Sequence, residues 1–433
     1  MTSQVQLKPN IDEVLRGFDE PRRKEAIQQA NAETIRRMKQ STPVLIGLGK
    51  AKDHLPGMRE NLILHAGPPI TWNMASNALK GAVIGGILFE GLAQTKDEAI
   101  RLMENGEVDL EPCHDHDAVG PMAGITTSSM SVYIVEDQTS GQRTYSNISD
   151  DLGDFIGASV RFGVYEKPAI DHLHWIESTL APVLGQAIEE AGSIDFIPII
   201  AKSLLMGDDC HTSMNAATPG FLQQLMPGLI KATSDQETLL EIIGLIYRDS
   251  LFALNPIMAT CKALSMAGAN VSHSSIVTVM ARNGTEFGIK VSGLGDRWFT
   301  GLAEIGRPGL LMPGLTQGDV GRDMGDSAIT ETNGLGGAAK SSAGSSHDAT
   351  NTTLQMYQIA ESESDWFGIP ALDGRGAAMG FDILKVVGKG IRPAVNSGLA
   401  QRHMNVPMAG AGHLHPPMQA FVDAVIAFSE VEA

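Results

Sequence analysis

The chain is poor in cysteine, short of positive charge, and without a long apolar run. Cys113, Cys210 and Cys261 are three thiols in 433 residues. So sparse and odd a set excludes a disulfide scaffold and fits a reducing cytoplasm. A net charge of −18 excludes nucleic acid and an anionic membrane as general partners. The most apolar helix candidate, Gly81 to Phe89, meets Glu90 too soon to span a bilayer. No apolar run follows the opening MTSQVQLKPNIDE, so no signal peptide is expected. Neither a GxGxxG after a strand nor a P-loop is present, which leaves nucleotide-dependent roles without a signature.

What is present describes an ordinary globular protein, 43% hydrophobic and 19% charged. Its length exceeds one common core, so several domains are expected. The patterning predicts an α+β protein, multi-domain mixed α/β with a mainly helical middle domain. Residues 1–42 read as an N-terminal helical arm, with Pro21 opening its longer helix and a modest apolar side that packs on something else, a second subunit being one candidate. Residues 43–165 read as an α/β domain, 166–270 as a helical domain and 271–433 as a second α/β domain with glycine-rich anion-binding loops. Asp373-Gly374-Arg375-Gly376 adds a polar bend.

The stretch 279–339 combines charge with glycine as no other does. Arg282, Asn283, Arg297, Asp326, Thr330, Glu331 and Asn333 alternate with Gly334, Gly336 and Gly337. Glycine lets consecutive N–H groups turn toward a ligand, and such nests bind anions. Arginine clamps carboxylates. A small anionic substrate is the expected ligand, although Asn283-Gly284 between apolar strands is equally a hairpin turn. His65 and Gly67 stand at a strand's carboxyl end, where α/β sheets often bind ligands.

Two further clusters carry titratable groups. In Cys113-His114-Asp115-His116-Asp117, an extended backbone would place His114 and His116 on one side. The second is Asp209-Cys210-His211 at a helix end. His114, His116, Asp209, His211, Asp326 and Glu331 are the candidate acid–base groups. No cofactor is expected. Were a metal bound, zinc would suit Cys113, His114, His116, Cys210 and His211, although neither cluster has CxxC or HExxH spacing.

The strings LILHAGPPI, GAVIGG, PCHDHDAVGPMAG, MGDDCHTSMNAAT, MARNGTEFGIKVSGLGDRWFT and GDSAITETNGLGGAA resemble the YahG/YlbE-like family (domain of unknown function 1116). The resemblance runs from about Ala32 to the last helix. It implies an α plus β fold and a cytoplasmic subunit of an oxamate carbamoyltransferase in purine (allantoin) catabolism. That reaction exchanges oxalurate and phosphate with oxamate and carbamoyl phosphate. By this analogy Arg282 or Arg297 holds an anion, the 325–337 loop cradles phosphate or the oxyanion, and the histidines move protons. A homo-oligomer with hetero-subunits is expected. The tail AVNSGLAQRHMNVPMAGAGHLHPPM departs from the family's usual sequence, so two other readings stay open. One is an amidohydrolase using the Cys/His clusters, the other a non-catalytic subunit.

Overall fold

The computed structural model describes residues 10–151, 158–343, 347–362 and 378–431; the bend at residues 373–376 lies outside them. The architecture is a mixed α+β fold built on several small sheets. The largest runs Ala118–Val119, Arg143–Asn147, Ser131–Asp137, Pro43–Lys50 and Ile194–Asp195, antiparallel except for its first pair. Helix Leu254–Ala267 lies on this sheet with 12 of its 14 residues buried. A helix apolar all round belongs in a core, so the lysine it carries, Lys262, is carried inside with it. The preceding helices, Phe196–Leu205, Ala217–Ala232 and Gln236–Arg248, fall where the sequence predicts them.

A second antiparallel sheet is ordered Phe299–Leu302, Glu286–Val291, Val277–Asn283 and Met324–Gly325. Its hairpin turns at Asn283, whose side-chain oxygen accepts from Thr285 N and Glu286 N, with Gly284 at φ 82°. The tail supplies a third sheet, Arg307–Leu311, Gly410–Leu414 and Val395–Leu399. Those tail strands escaped sequence reading because VNSGL and GAGHL lack apolar alternation.

The apolar side of the N-terminal arm packs on other elements of this same chain. Asn31 Nδ2 donates to Ser275 Oγ at 2.9 Å, and Ser275 N donates back to Asn31 Oδ1 at 2.9 Å. Arg23 Nη2 donates to the Phe428 and Ser429 carbonyls at the end of helix Met418–Ser429. A cation there satisfies terminal carbonyls and meets the negative end of the helix dipole.

Strands Leu62–His65 and Asp109–Pro112 pair in parallel and deliver His65 beside the Cys113 turn. Helix Asn77–Phe89, between them in the chain, is apolar on nearly every side and has glycines where another segment crosses it. A Cβ on Gly81 would stand 2.1 Å from the Gly163 carbonyl oxygen, and one on Gly85 2.9 Å from Val160 Cγ1. Missing side chains thus let the Val160–Phe162 turn press onto the helix with Arg161 buried. Gly81→Ala should therefore destabilise the protein by about 1–3 kcal/mol through overpacking. Gly388→Ala, in a helix with nothing near its Cβ, should be neutral or stabilising by about 1 kcal/mol from helix propensity. Urea denaturation midpoints of the two variants provide the comparison.

Candidate functional site

Burying a carboxylate is costly unless hydrogen bonds replace its water. Three of the candidate acidic residues are buried, and each is held by backbone N–H groups. Asp326 accepts from Gly67 N at 2.7 Å and Gly120 N at 3.0 Å. Glu331 accepts from Gly337 N at 2.9 Å and Asn396 N at 3.1 Å. Asp209 Oδ1 accepts from the backbone of His211, Thr212 and Ser213. In the glycine-rich 325–337 loop, expected to cradle an external anion, Gly337 N holds the protein's own Glu331 carboxylate. Gly336 N donates to the Asp209 carbonyl and Gly334 N to the Glu331 carbonyl. A Cβ on Gly336 would fall 2.0 Å from Glu331 Oε1, so that approach needs glycine.

Around these carboxylates two of the candidate histidines, His211 and His114, are treated differently. His211 Nδ1 bonds Glu331 Oε1 at 2.8 Å and Oε2 at 3.0 Å. Thr330 Oγ1 donates to the same carboxyl at 3.0 Å. Beyond it, Asn396 Nδ2 donates to Asp209 Oδ2 at 2.6 Å, and His413 Nδ1 bonds Asn396 Oδ1 at 2.6 Å. Glu331 therefore fixes the imidazole with Nδ1 as donor, and Nε2 is left for other chemistry. That ring lines a small cavity with Pro121, Met122, Arg161, Ser327 and Gly398.

Arg161 faces the same cavity. Its Nη2 donates to Asp151 Oδ2 at 2.8 Å, and Nε stands 3.4 Å from Asp150 Oδ1. Nη1 is buried without a hydrogen-bond partner among the described residues. Sequence reasoning missed this residue. The available signal was an arginine between Val160 and Phe162, downstream of acidic Asp150 and Asp151. A cavity with a carboxylate-steered histidine and an unsatisfied guanidinium suits proton transfer on a small anion.

His114 lies on the other side of Asp326. Its Nε2 stands 3.5 Å from Asp326 Oδ1, and neither ring nitrogen has a hydrogen-bond partner among the described residues. Burial pushes the His114 pKa well down and that of Asp326 up to about 7. The pair is therefore a neutral imidazole beside a carboxyl that holds its proton near neutrality.

Other expected site residues are committed to structure. Arg282 is fully buried; it donates from Nε to Asp323 at 2.9 Å, from Nη1 to the Gly325 carbonyl at 2.6 Å, and from Nη2 to Ser397 Oγ at 2.7 Å. It clasps the chain, and a substrate has no route to it. Arg297 is exposed and stacks 5.1 Å over Phe299, apart from the carboxylate cluster. Asn283 shapes its turn and donates to the Pro68 carbonyl. Asn333 Nδ2 bonds the Cys261 carbonyl and Ser265 Oγ. His65 is buried, bonds the Ala66 carbonyl, and is pushed down to about 4 by burial. Gly67 cannot carry a side chain, since its Cβ would lie 2.3 Å from the Arg282 carbonyl carbon.

The Cys113–His116 segment is a tight turn, not an extended strand, so its histidines diverge. His116 goes to Glu111 and the Pro56 carbonyl. Cys113 donates to the Gly124 carbonyl at 3.3 Å. Burial pushes all three thiols well above their ordinary range, so none is prepared as a thiolate nucleophile or ligand. The five residues suited to zinc do not converge, and no metal-holding group of three or more His, Cys, Asp or Glu occurs among the described residues. No helix among them is long and apolar enough to cross a membrane.

This geometry places a carboxylate-bound histidine and a buried arginine on one internal cavity. Comparison then gives the chain's kinship: the sequence model described as oxamate carbamoyltransferase subunit AllG matches residues 108–327. The chain is 40% identical over 412 residues to the uncharacterized protein YahG of Escherichia coli K12, covering 93% of this chain and 86% of that one. It is 37% identical over 418 residues to the oxamate carbamoyltransferase subunit AllG of the same strain, covering 94% and 98%. A crystal structure of a conserved protein of unknown function from Enterococcus faecalis V583 superposes with a TM-score of 0.89. That protein is 39% identical, with 94% of this chain and 98% of the other covered. The chain belongs to the AllG family.

Asp326 makes a pH prediction. Its folded pKa of about 7 lies above an unfolded value of about 3.9, so the native state binds the extra proton between these limits. Its contribution to stability is fully present below about pH 4 and is lost as pH rises through about 7. Asp326→Asn offers one acceptor where Gly67 N and Gly120 N need two, which costs about 1–3 kcal/mol. The deficit of the variant relative to the parent should be larger at pH 5 than at pH 8. Urea unfolding at both values measures it; an equal deficit would contradict the shift.

Proposed function

We propose that this chain is one subunit of a carbamoyl-transferring complex acting on a small ureido acid, with the transfer at the cavity lined by Arg161 and His211. The observation that carries this is the His211–Glu331 pair on a cavity also lined by Arg161, whose Nη1 has no hydrogen-bond partner among the described residues. Kinship with a named carbamoyltransferase subunit supplies the reaction class.

In this reading the reaction is the exchange of oxalurate and phosphate with oxamate and carbamoyl phosphate. A phosphate oxygen attacks the ureido carbonyl, forming a C–O bond, and the C–N bond to the oxamate nitrogen breaks. His211 Nε2 takes the proton of hydrogenphosphate as the oxygen attacks and passes it to the departing nitrogen. Glu331 stabilises the imidazolium between these steps. Arg161 Nη1 holds an oxygen of the substrate carboxylate or of phosphate. Asp209 acts indirectly, by shaping the loop that carries His211.

Large apolar side chains exposed on the helices, among them Leu205, Leu240 and Tyr247, fit a chain that acts as a subunit, since such surface marks interaction sites. The test is the complex reconstituted with its partner chains and assayed for phosphate-dependent carbamoyl phosphate formation. His211→Gln should lower kcat by roughly 10²–10⁴-fold, and Arg161→Lys should chiefly raise KM. Full activity of the His211 variant in an assembled complex would sink the assignment. Phosphate-independent release of ammonia would instead identify a hydrolase.

A further inference from the structure

A second cavity, of about 330 Å³, is lined by His114 together with Lys262, Lys290, Asp115, Asp117 and the exposed Asp296. Four cationic side chains are buried among the described residues: Arg161, Lys262, Arg282 and Lys290. Arg161 meets Asp150 and Asp151, Arg282 meets Asp323, and Lys290 Nζ meets Asp115 Oδ1 at 2.7 Å. Lys262 has no such ion pair among the described residues. Its Nζ donates to the His114 carbonyl at 3.2 Å, so two of its three donors have no protein acceptor among those bonds. Burial, then the charge of Lys290, pulls its pKa down to about 8. An ammonium removed from water without a counter-charge is costly, and here it faces a cavity that also contains the unbonded ring of His114.

The cavity has both signs of charge. Asp117 is half-buried with its carboxyl pushed up by burial, and Asp115 accepts from Lys290 and from Trp298 Nε1 at 3.2 Å. A bare dianion such as phosphate would meet Asp115 and Asp117 as well as the lysines. A ligand with one carboxylate and adjacent N–H donors would satisfy both walls, its carboxylate at Lys262 and its N–H groups at Asp117. We propose that this cavity is a second ligand site, selective for a small carboxylate that carries amide or ureido N–H groups. The assignment stands on the charge layout and is independent of the transfer reading, because binding is measured on this chain alone.

Calorimetric titration of the full chain with sodium oxamate and sodium acetate, at constant ionic strength, tests it. Oxamate has the carboxylate and the N–H donors; acetate has the carboxylate alone. Oxamate should bind more tightly than acetate, and Lys262→Met should weaken oxamate by about tenfold or more, the scale of a charge-assisted hydrogen bond. Arg161→Met, which alters the first cavity, should leave that component of binding in place. Lys262→Met removes an unpaired buried charge and should melt no lower than the parent. Should it fail to fold, cyanate labelling of the parent decides: the free amine adds across HN=C=O to give a urea, and oxamate should protect Lys262 in peptide mass maps. Equal binding of acetate and oxamate, undiminished binding in Lys262→Met, or unprotected labelling at saturating oxamate would each overturn the proposal.

Discussion

Carboxylates buried inside the protein and held by main-chain N–H groups are the constraint on which the rest of this structure depends. Asp326 draws Gly67 and Gly120 together, and Glu331 draws Gly337 and Asn396 together. Asp208 does the same with Asn215, Ala216 and Ala217 at the entry to a helix. Asp326 and the Asn396 bond of Glu331 join segments distant in the chain, while Asp208 closes its own loop. Leaving any such carboxylate short of donors costs as much as a sizeable part of a domain's net stability. The glycines follow from the same need, because a donor N–H must reach the carboxylate where a Cβ would collide.

That logic explains what the sequence shows and where it misleads. Regular elements are legible because apolar spacing reports burial: the helices between 167 and 267, the Asn283-Gly284 hairpin and the C-terminal helix all lie where the pattern puts them. The carboxylate-and-glycine loops are legible as special, since no core or solvated face prefers that mixture. Their occupant is not. An N–H cradle for an external anion and one for an internal Glu331 have the same composition, and three-dimensional closure alone tells them apart. Arg282 has the same ambiguity, because a clamp for substrate and a clasp on Asp323 use identical chemistry. Arg161 and Lys262 went unnoticed for the opposite reason. Each is a lone cation among apolar neighbours, and its importance comes from elements distant in sequence.

The two histidines beside buried carboxylates show why adjacency alone does not make an acid–base pair. His211 has its Nδ1 bonded to Glu331, and that carboxyl takes donors from Gly337, Asn396 and Thr330. An imidazolium there would meet a prepared counter-charge. His114 is 3.5 Å from a carboxyl that burial keeps near half-protonated at neutral pH, and Lys262 and Lys290 both push against its protonation. Similar residue types thus have different surroundings, a hydrogen-bonded carboxylate at His211 and a buried, unbonded ring at His114.

Their arrangement also relates the two cavities. Asp326 meets His114 on one side, and its chain neighbour Ser327 lines the Arg161 cavity on the other. Ser327 is further tied to Arg282, which also clasps Asp323 and the Gly325 carbonyl. Asp326 and Ser327 thus tie both cavities to one short segment. The donors on the Asp326 carboxyl, Gly67 N and Gly120 N, fix where that segment lies, so the two cavities share one wall by covalent adjacency.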